Sequence, residues 1–325
     1  VIEQEDPICL TPAEVVDRAR AARARIQGFI RTTPLETLSE PGTDPGVFAK
    51  CEHLQVTGSF KARGALSAMT AGTARDVTSV VTASTGNHGA AVAYAGFHLG
   101  VDVSVFAAES ADPAKLAAIQ RWGAETRLIP GDPLNAEQAA RAAASEERPY
   151  ISPYNDPKVI AGQGTVGLEL IEQIPDLASV VIAVGGGGLV SGVAAVVKNA
   201  NPGCRVIGAS PRNSPVMAES VAAGQILDIE SVPTLSDGTA GGLESGALTF
   251  PLCRDLVDRW ITIDEADIAA ALRGYVEDYH QLIEGSAAVA LAARAAAPSE
   301  PRPSAVVLCG ANIGMTTLRA VLGTA

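Results

Sequence analysis

No run of apolar residues in this 325-residue chain is long enough to span a bilayer. The start, Val1 to Asp6, is acidic and carries no apolar signal core, so a cytoplasmic protein that does not enter a membrane is expected. Cysteine is sparse and unpatterned. Cys9, Cys51, Cys204, Cys253 and Cys309 are odd in number, scattered, and nowhere spaced C-x-x-C, which disfavours a disulfide frame or a zinc site and points to reduced thiols. Positive charge is also short. Lysine and arginine number 24 against 36 acidic residues, a net charge of −12, so neither nucleic acid nor an anionic membrane gains by phosphate neutralisation. A small-molecule substrate must meet local positive dipoles rather than a general field.

What is present is ordinary globular material, 47% hydrophobic and 18% charged, of a length that suits two α/β lobes. Strand, turn and helix recur along the chain, which implies mainly parallel sheets. A helix is predicted over Pro12 to Gly28 with Thr11 as its cap, followed by a Pro-containing segment, Thr32 to Gly46. Next come a helix from Lys61 to Ala71, a strand Ser79 to Thr82, a helix to Leu99 and a strand Val101 to Phe106. A helix Pro113 to Gly123, a strand Glu125 to Ile129 and a helix Asn135 to Ala144 complete the run. It reads as a small domain, 51–150, inserted into a larger one made of 1–50 and 151–325. The larger part holds strands at Val180, Arg205 and Ala305 to Leu308, a helical pattern Val193 to Lys198, and a helix Glu265 to Tyr279. Ligands of open α/β sheets sit at the carboxyl ends of strands, where a cleft between the lobes would collect Lys61, Asn87, Gly185 to Gly188 and Cys309.

Three segments bear on chemistry. Lys61 is one of only five lysines, and it lies in Gly58-Ser59-Phe60-Lys61-Ala62-Arg63-Gly64 at the start of a helix. That context suits an amine held covalently, although a surface lysine entering a helix reads the same way in isolation. Gly185-Gly186-Gly187-Gly188 stand between an apolar strand and a helix, so several backbone N–H groups are free to converge on one anion. The run fits neither a dinucleotide fingerprint nor a P-loop, and a glycine turn made for tight packing is the plainer alternative. Ser84-Thr85-Gly86-Asn87-His88-Gly89 also follow a strand and open an Ala-rich helix, where a carboxylate can bind, although taken alone the segment reads better as a plain capping turn. His88, with no acidic partner or second histidine at ligand spacing, is a packing histidine rather than a metal ligand.

Together these segments resemble the fold-type II pyridoxal-phosphate enzymes, in particular the branch of threonine/serine dehydratases and serine racemases. The resemblance runs along nearly the whole chain and includes Val159 to Thr165 and Gly310-Ala311-Asn312. Within the branch, Ser84 to Gly89, Leu252 to Asp258 and Glu284-Gly285 look most like dehydratases associated with hydroxyectoine utilisation. The resemblance implies a tryptophan synthase β-like fold, two parallel-sheet domains with pyridoxal 5′-phosphate in the cleft between them, and a homodimer.

By the same resemblance, Lys61 is both Schiff-base anchor and base, Phe60 lies against the ring, and Asn87 bonds its 3-hydroxyl. Gly185, Gly186, Gly187, Gly188 and Leu189 hold the phosphate. Ser84, Thr85, Asn87 and His88 hold the substrate carboxylate, largely through backbone N–H groups, with Ser84 and Thr85 beside Lys61 as catalytic candidates. The implied reaction is β-elimination from a 2-amino-3-hydroxy acid such as threonine or serine, giving a 2-oxo acid and ammonia. Racemisation is the nearest alternative; the second acid/base serine of racemases is here Thr85, whose added methyl crowds that face. A β-elimination or β-replacement enzyme acting on a specialised amino acid is another. A nucleotide-dependent oxidoreductase is disfavoured by the glycine pattern, and a non-catalytic binding module by the complete set of lysine, asparagine and glycines.

Several positions depart from the family. Cys309 stands where the partner of the pyridine nitrogen is usually Ser, and Glu284-Gly285-Ser286 replaces Glu-Pro-Ser/Thr. Ser210 and Val216 stand where metal-binding members carry acids, so no metal is expected. No regulatory domain follows Asn312, and isoleucine feedback is not expected. Arg63, Arg212 and Arg254 are candidate partners for an acidic substrate side chain.

Overall fold

The computed structural model describes residues 10–38, 46–71 and 77–323; Val1 to Asp6 and Cys9 lie outside them. The chain runs α1 (Pro12–Ile26), β1 (Leu35–Thr37), β2 (Val47–Lys50), α2 (Lys61–Thr70), β3 (Ser79–Ala83), α3 (Asn87–Leu99), β4 (Asp102–Ala108) and α4 (Pro113–Gln120). It continues β5 (Glu125–Ile129), α5 (Pro133–Ala142), α6 (Pro157–Gln173), β6 (Ser179–Ala183), α7 (Gly188–Ala200), β7 (Arg205–Pro211) and α8 (Val216–Ala223). The last elements are α9 (Thr249–Leu256), β8 (Arg259–Ile263), α10 (Glu265–Tyr279), α11 (Gly285–Ala296), β9 (Ser304–Val307) and α12 (Met315–Gly323).

Two sheets result. The larger has the order β1-β2-β9-β6-β7-β8, parallel except for the β1–β2 pair; the smaller is β3-β4-β5, all parallel. Every residue of β6 and β9 is buried, as expected of parallel strands covered on both faces. The core beneath the small sheet is not drawn from 51–150 alone, because Ile26 of α1 and Ile151 and Val159 belong to it.

Helix starts follow local chemistry. Thr11 and Glu14 form a reciprocal capping box on α1, and Asp112, Asp132 and Asp156 cap α4, α5 and α6 ahead of Pro113, Pro133 and Pro157. Close helix crossings depend on missing side chains. A Cβ on Gly162 of α6 would lie 2.4 Å from the Arg63 carbonyl of α2, and one on Gly192 of α7 would lie 2.5 Å from the Gly164 nitrogen. The helix that begins with Lys61 is thereby packed backbone to backbone against α6.

The structure corrects several boundaries. β1 lies inside the segment read only as Pro-containing connection, β2 just beyond it, and β8 was not predicted; at three to five residues these strands are too short to show alternation. α7 begins within the glycine run, at Gly188 rather than at Val193, while α4 and α5 stop at Gln120 and Ala142. No helix among the described residues is long and apolar enough to cross a membrane.

Candidate active site

Lys61 is the first residue of α2, and the segment leading into it is tied to the chain after β9. The Phe60 N–H donates to the Cys309 carbonyl at 3.1 Å, the Ala311 N–H donates to the Gly58 carbonyl at 2.8 Å, and Ser59 bridges to Gly310. The Lys61 Nζ donates to the Pro153 carbonyl at 2.7 Å and stands 5.2 Å from the centre of the Phe60 ring. Burial lowers its pKa to about 8 against the opposing pull of Cys309 and Glu284, so a free amine is accessible close to neutral pH.

The glycine run forms a turn between β6 and α7. Gly187 has a φ of +83°, a conformation that L side chains rarely adopt, and the Thr249 hydroxyl donates to the Gly186 carbonyl at 2.7 Å. Added Cβ atoms would lie 2.5 Å from the Tyr154 ring at Gly186 and 2.7 Å from the Thr239 carbonyl at Gly185. Among the described residues, no acceptor engages the N–H groups of Gly185, Gly186 or Gly187, and those of Gly188 and Leu189 open a helix and lack intrahelical partners. Five consecutive free N–H groups at a positive helix end make an anion cradle.

A second such end lies at α3. The Gly86 N–H donates to the Ser84 hydroxyl at 3.3 Å, and a Cβ on Gly89 would lie 2.0 Å from the Ser84 carbonyl, so the turn folds back onto the helix start. Ser84, Thr85 and Asn87 are half-buried and border this turn. His88 is different. Its Nε2–H donates to the Ile151 carbonyl at 2.9 Å, and burial, reinforced by the charge of Lys61, depresses its pKa to about 3. The imidazole is a neutral internal support, and only the His88 backbone faces the turn.

Asn87 belongs to a closed polar ring. Its amide nitrogen donates to both oxygens of Glu284 at 2.8 and 3.0 Å, and its amide oxygen accepts from Asn312 Nδ2 at 2.6 Å. Asn312 donates again through its backbone N–H to Glu284 Oε2 at 3.1 Å and through Nδ2 to the Thr57 carbonyl at 2.9 Å. Glu284 is buried, which pushes its pKa up to about 7 despite these donors. Cys309 is buried beside this ring, and burial, with the charge of Glu284, raises its pKa well above the ordinary thiol value, so it is a protonated thiol.

The turn 152–155 connects these parts. Pro153 receives the lysine, the Tyr154 ring covers Gly186 while its Cα and Cβ lie against Gly188, and the Tyr154 hydroxyl accepts the Glu244 N–H at 2.8 Å. Asn155 donates to Glu244 Oε2 at 2.9 Å, while Arg141 of α5 pairs with Glu244 Oε1 at 2.8 Å. Sequence reasoning missed Pro153, Tyr154 and Glu244, and treated Glu284 only as part of a motif. No local pattern marks them, because their roles are made by contacts across the fold.

The three candidate arginines are placed elsewhere. Arg63 is fully buried between Glu52 and Glu169, turned away from the lysine, because two carboxylates satisfy its guanidinium inside the protein. Arg212 pairs with Asp264 and Arg254 with Asp255, both at exposed positions. The Ser210 hydroxyl is committed to the Val184 carbonyl at 3.2 Å and Val216 is buried. Among the described residues no group of three or more His, Cys, Asp or Glu could hold a metal ion.

The donor set fits pyridoxal phosphate: a cradle of free N–H groups for a phosphate, an enclosed amine of lowered pKa for an aldehyde, and an aromatic ring beside that amine. A family model described as pyridoxal-phosphate dependent enzyme matches residues 26–310. L-threonine ammonia-lyase of Geobacter sulfurreducens is 38% identical over 281 residues, covering 85% of this chain and 69% of that protein. Serine racemase of Arabidopsis thaliana is 34% identical over 310 residues, covering 92% and 93%. The structure of the processed form of threonine deaminase isoform 2 from Solanum lycopersicum matches with a TM-score of 0.88 at 30% identity, over 98% of this chain and 95% of that one. The match to the family model, the lysine and its cradle lead to one assignment: the chain belongs to the pyridoxal-phosphate dependent enzymes and has the α/β architecture of fold type II.

Proposed function

We propose that the protein is a pyridoxal-phosphate-dependent ammonia-lyase that converts a 2-amino-3-hydroxy acid such as threonine or serine to a 2-oxo acid and ammonia. The observation that carries this reading is the likeness to L-threonine ammonia-lyases and dehydratases, at 33–38% identity over 85–95% of the chain. When bound, the cofactor supplies an aldehyde for the substrate amine and an electron-withdrawing ring that stabilises negative charge at Cα.

The chain's own groups do the rest. The Lys61 Nζ would hold the cofactor aldehyde and, with its pKa lowered to about 8, is the amine placed to take the Cα proton. Phe60 would wall the ring, and Asn87 would meet its 3-oxygen. The N–H groups of Gly185 to Leu189 would hold the phosphate. Cys309, a neutral thiol, would face the pyridine nitrogen and is too weak an acid to protonate it. The backbone of Ser84 to His88, with the Ser84 and Thr85 hydroxyls, receives the substrate carboxylate at the start of α3. Water is lost from Cα–Cβ and regained on hydrolysis, so the net change is loss of ammonia. The same reading takes 51–150 as a small domain inserted into the larger one, and expects the protein in the cytoplasm as a homodimer.

The test is a panel of threonine, serine, 3-hydroxyaspartate and phenylserine given to the purified holoenzyme, with 2-oxo acid, ammonia and enantiomers of recovered substrate measured together. Stoichiometric 2-oxo acid and ammonia are expected. Rapid enantiomer exchange without 2-oxo acid would assign racemisation instead, through the Thr85 hydroxyl.

A further inference from the structure

Glu284 is a buried carboxylate within the site, and among the described residues no cation pairs with it. It accepts two contacts from the Asn87 amide nitrogen and one from the Asn312 N–H, while Asn312 also donates to the Asn87 oxygen. Both donors of the Asn312 amide are used, on Thr57 and Asn87. An Asn87 amide turned the other way would set its oxygen against the carboxylate and its NH2 against the NH2 of Asn312. Neither contact is tolerable while Glu284 is ionised. The space is also closed. A Cβ at Gly310 would lie 2.5 Å from Glu284 Oε1, and the Glu284 N–H is itself bound to the Gly310 carbonyl at 2.9 Å.

Given that Asn87 faces the cofactor ring as proposed above, we propose that Glu284 is a positioning residue: its carboxylate fixes the orientation of the Asn87 amide, and its ionisation sets how firmly the cofactor is held. Ionised, Glu284 accepts from the Asn87 amide nitrogen and the Asn312 N–H. Protonated, it brings an O–H of its own into a site already filled with donors, displacing one of them and loosening Asn87.

The switching range lies near neutral pH. Burial raises the carboxyl pKa to about 7; Asp237 raises it further, while Asn87, Asn312 and Lys115 of α4 lower it. Lys115 and Asp237 pair with each other at 2.9 Å. Lys61 and Cys309 also sense the charge of Glu284. Lys61, its own pKa lowered to about 8, titrates in the adjoining range.

The experiment reads the visible absorption and dissociation constant of bound pyridoxal phosphate from pH 5.5 to 8.5 without substrate, alongside the pH profile of kcat/KM. In the native protein the cofactor is expected to bind more weakly and change its spectrum below a midpoint near 7, and the acid limb of kcat/KM shares that midpoint. Glu284→Gln should abolish the transition in all three readouts and weaken cofactor binding about tenfold at pH 8. Glu284→Asp should restore a transition. Lys115→Met, a change at the rim that leaves the ring intact, should raise the midpoint by about half a pH unit. A Glu284→Gln protein that melts earlier but keeps the native transition overturns the proposal, as does an unmoved midpoint in Lys115→Met. Because the spectrum is read without substrate, failure of the ammonia-lyase reading leaves this test standing. A lyase with a pH-invariant spectrum overturns only the role of Glu284.

Discussion

Lys61 and Arg63 stand two residues apart on α2, and their surroundings are opposite. Arg63 meets Glu52 through Nε and Nη2 and Glu169 through Nη1 and Nη2, at 2.7–3.0 Å. Lys50 joins the same cluster at 2.5 Å from Glu169, with Thr33 and Gln173 completing its shell. Two buried cations thus balance two buried anions, and the arginine keeps Glu169 below the usual carboxylate range despite burial. Lys61 has one carbonyl, and Glu284 has only neutral donors. Burial therefore drives both toward neutrality, to about 8 and about 7. Enclosed charge is common to the two regions. Partnering decides whether it is locked as an anchor or left able to exchange a proton.

The comparison breaks first at the lysine. Lys61→Ala should cost at least about four decades in turnover, because anchor and base vanish together, while the melting temperature holds or rises slightly. Turnover within about tenfold of native in a cofactor-saturated sample would remove Lys61 from the chemistry.

Arg63→Met should do the reverse, costing stability first. It leaves two buried carboxylates with Lys50 as the remaining cation of the cluster, a loss of about 3–5 kcal/mol in denaturant unfolding. An unchanged unfolding midpoint would show that the paired cluster is not an anchor.

His88 tests the contrast through pH. Its folded pKa, about 3, lies below the ordinary histidine value of 6.5, so its contribution to stability is present above 6.5 and is lost as pH falls toward 3. Glu284 acts in the opposite sense: its raised pKa favours folding below its ordinary value of 4.5, and that contribution is lost as pH rises through 7. The difference between native protein and His88→Gln isolates the first term. Unfolding at pH 7.5 and 5 should show a smaller drop for the variant, which still donates to Ile151; equal drops would mean the imidazole is not held neutral.

The smallest effect is expected at Cys309. Serine is likewise a weak acid at neutral pH, so Cys309→Ser should keep kcat within about threefold. A loss of several decades would show that the thiol does more than stand at the ring nitrogen.

What was legible in the sequence was what local chemistry dictates. The cap at Thr11, the glycine run after an apolar strand and the long helix Glu265 to Tyr279 all follow from residues close together in the chain. The lysine was legible through its flanking motif. Arg63 was not, because an arginine beside a reactive lysine reads equally as a substrate partner or a core anchor; only Glu52 and Glu169, distant in sequence, decide it. His88 was legible as a packing residue but not as a support for Ile151. Glu284 is the sharpest case. Its importance arises from burial and from Asn87, which stands 197 residues away.

The turn 152–155 separates two properties of the enzyme that could otherwise change only together. Its Pro153 end touches the lysine, whereas its Tyr154 hydroxyl and Asn155 amide grip the loop bearing Glu244. In that loop Gly241, Gly242 and Gly246 have open space around them, but φ values of +121° at Gly241 and +70° at Gly246 strain any side chain there, which leaves Gly242 as the position free to vary. A side chain added at Gly242 would therefore alter the rim while leaving the contact between Pro153 and Lys61 as it is.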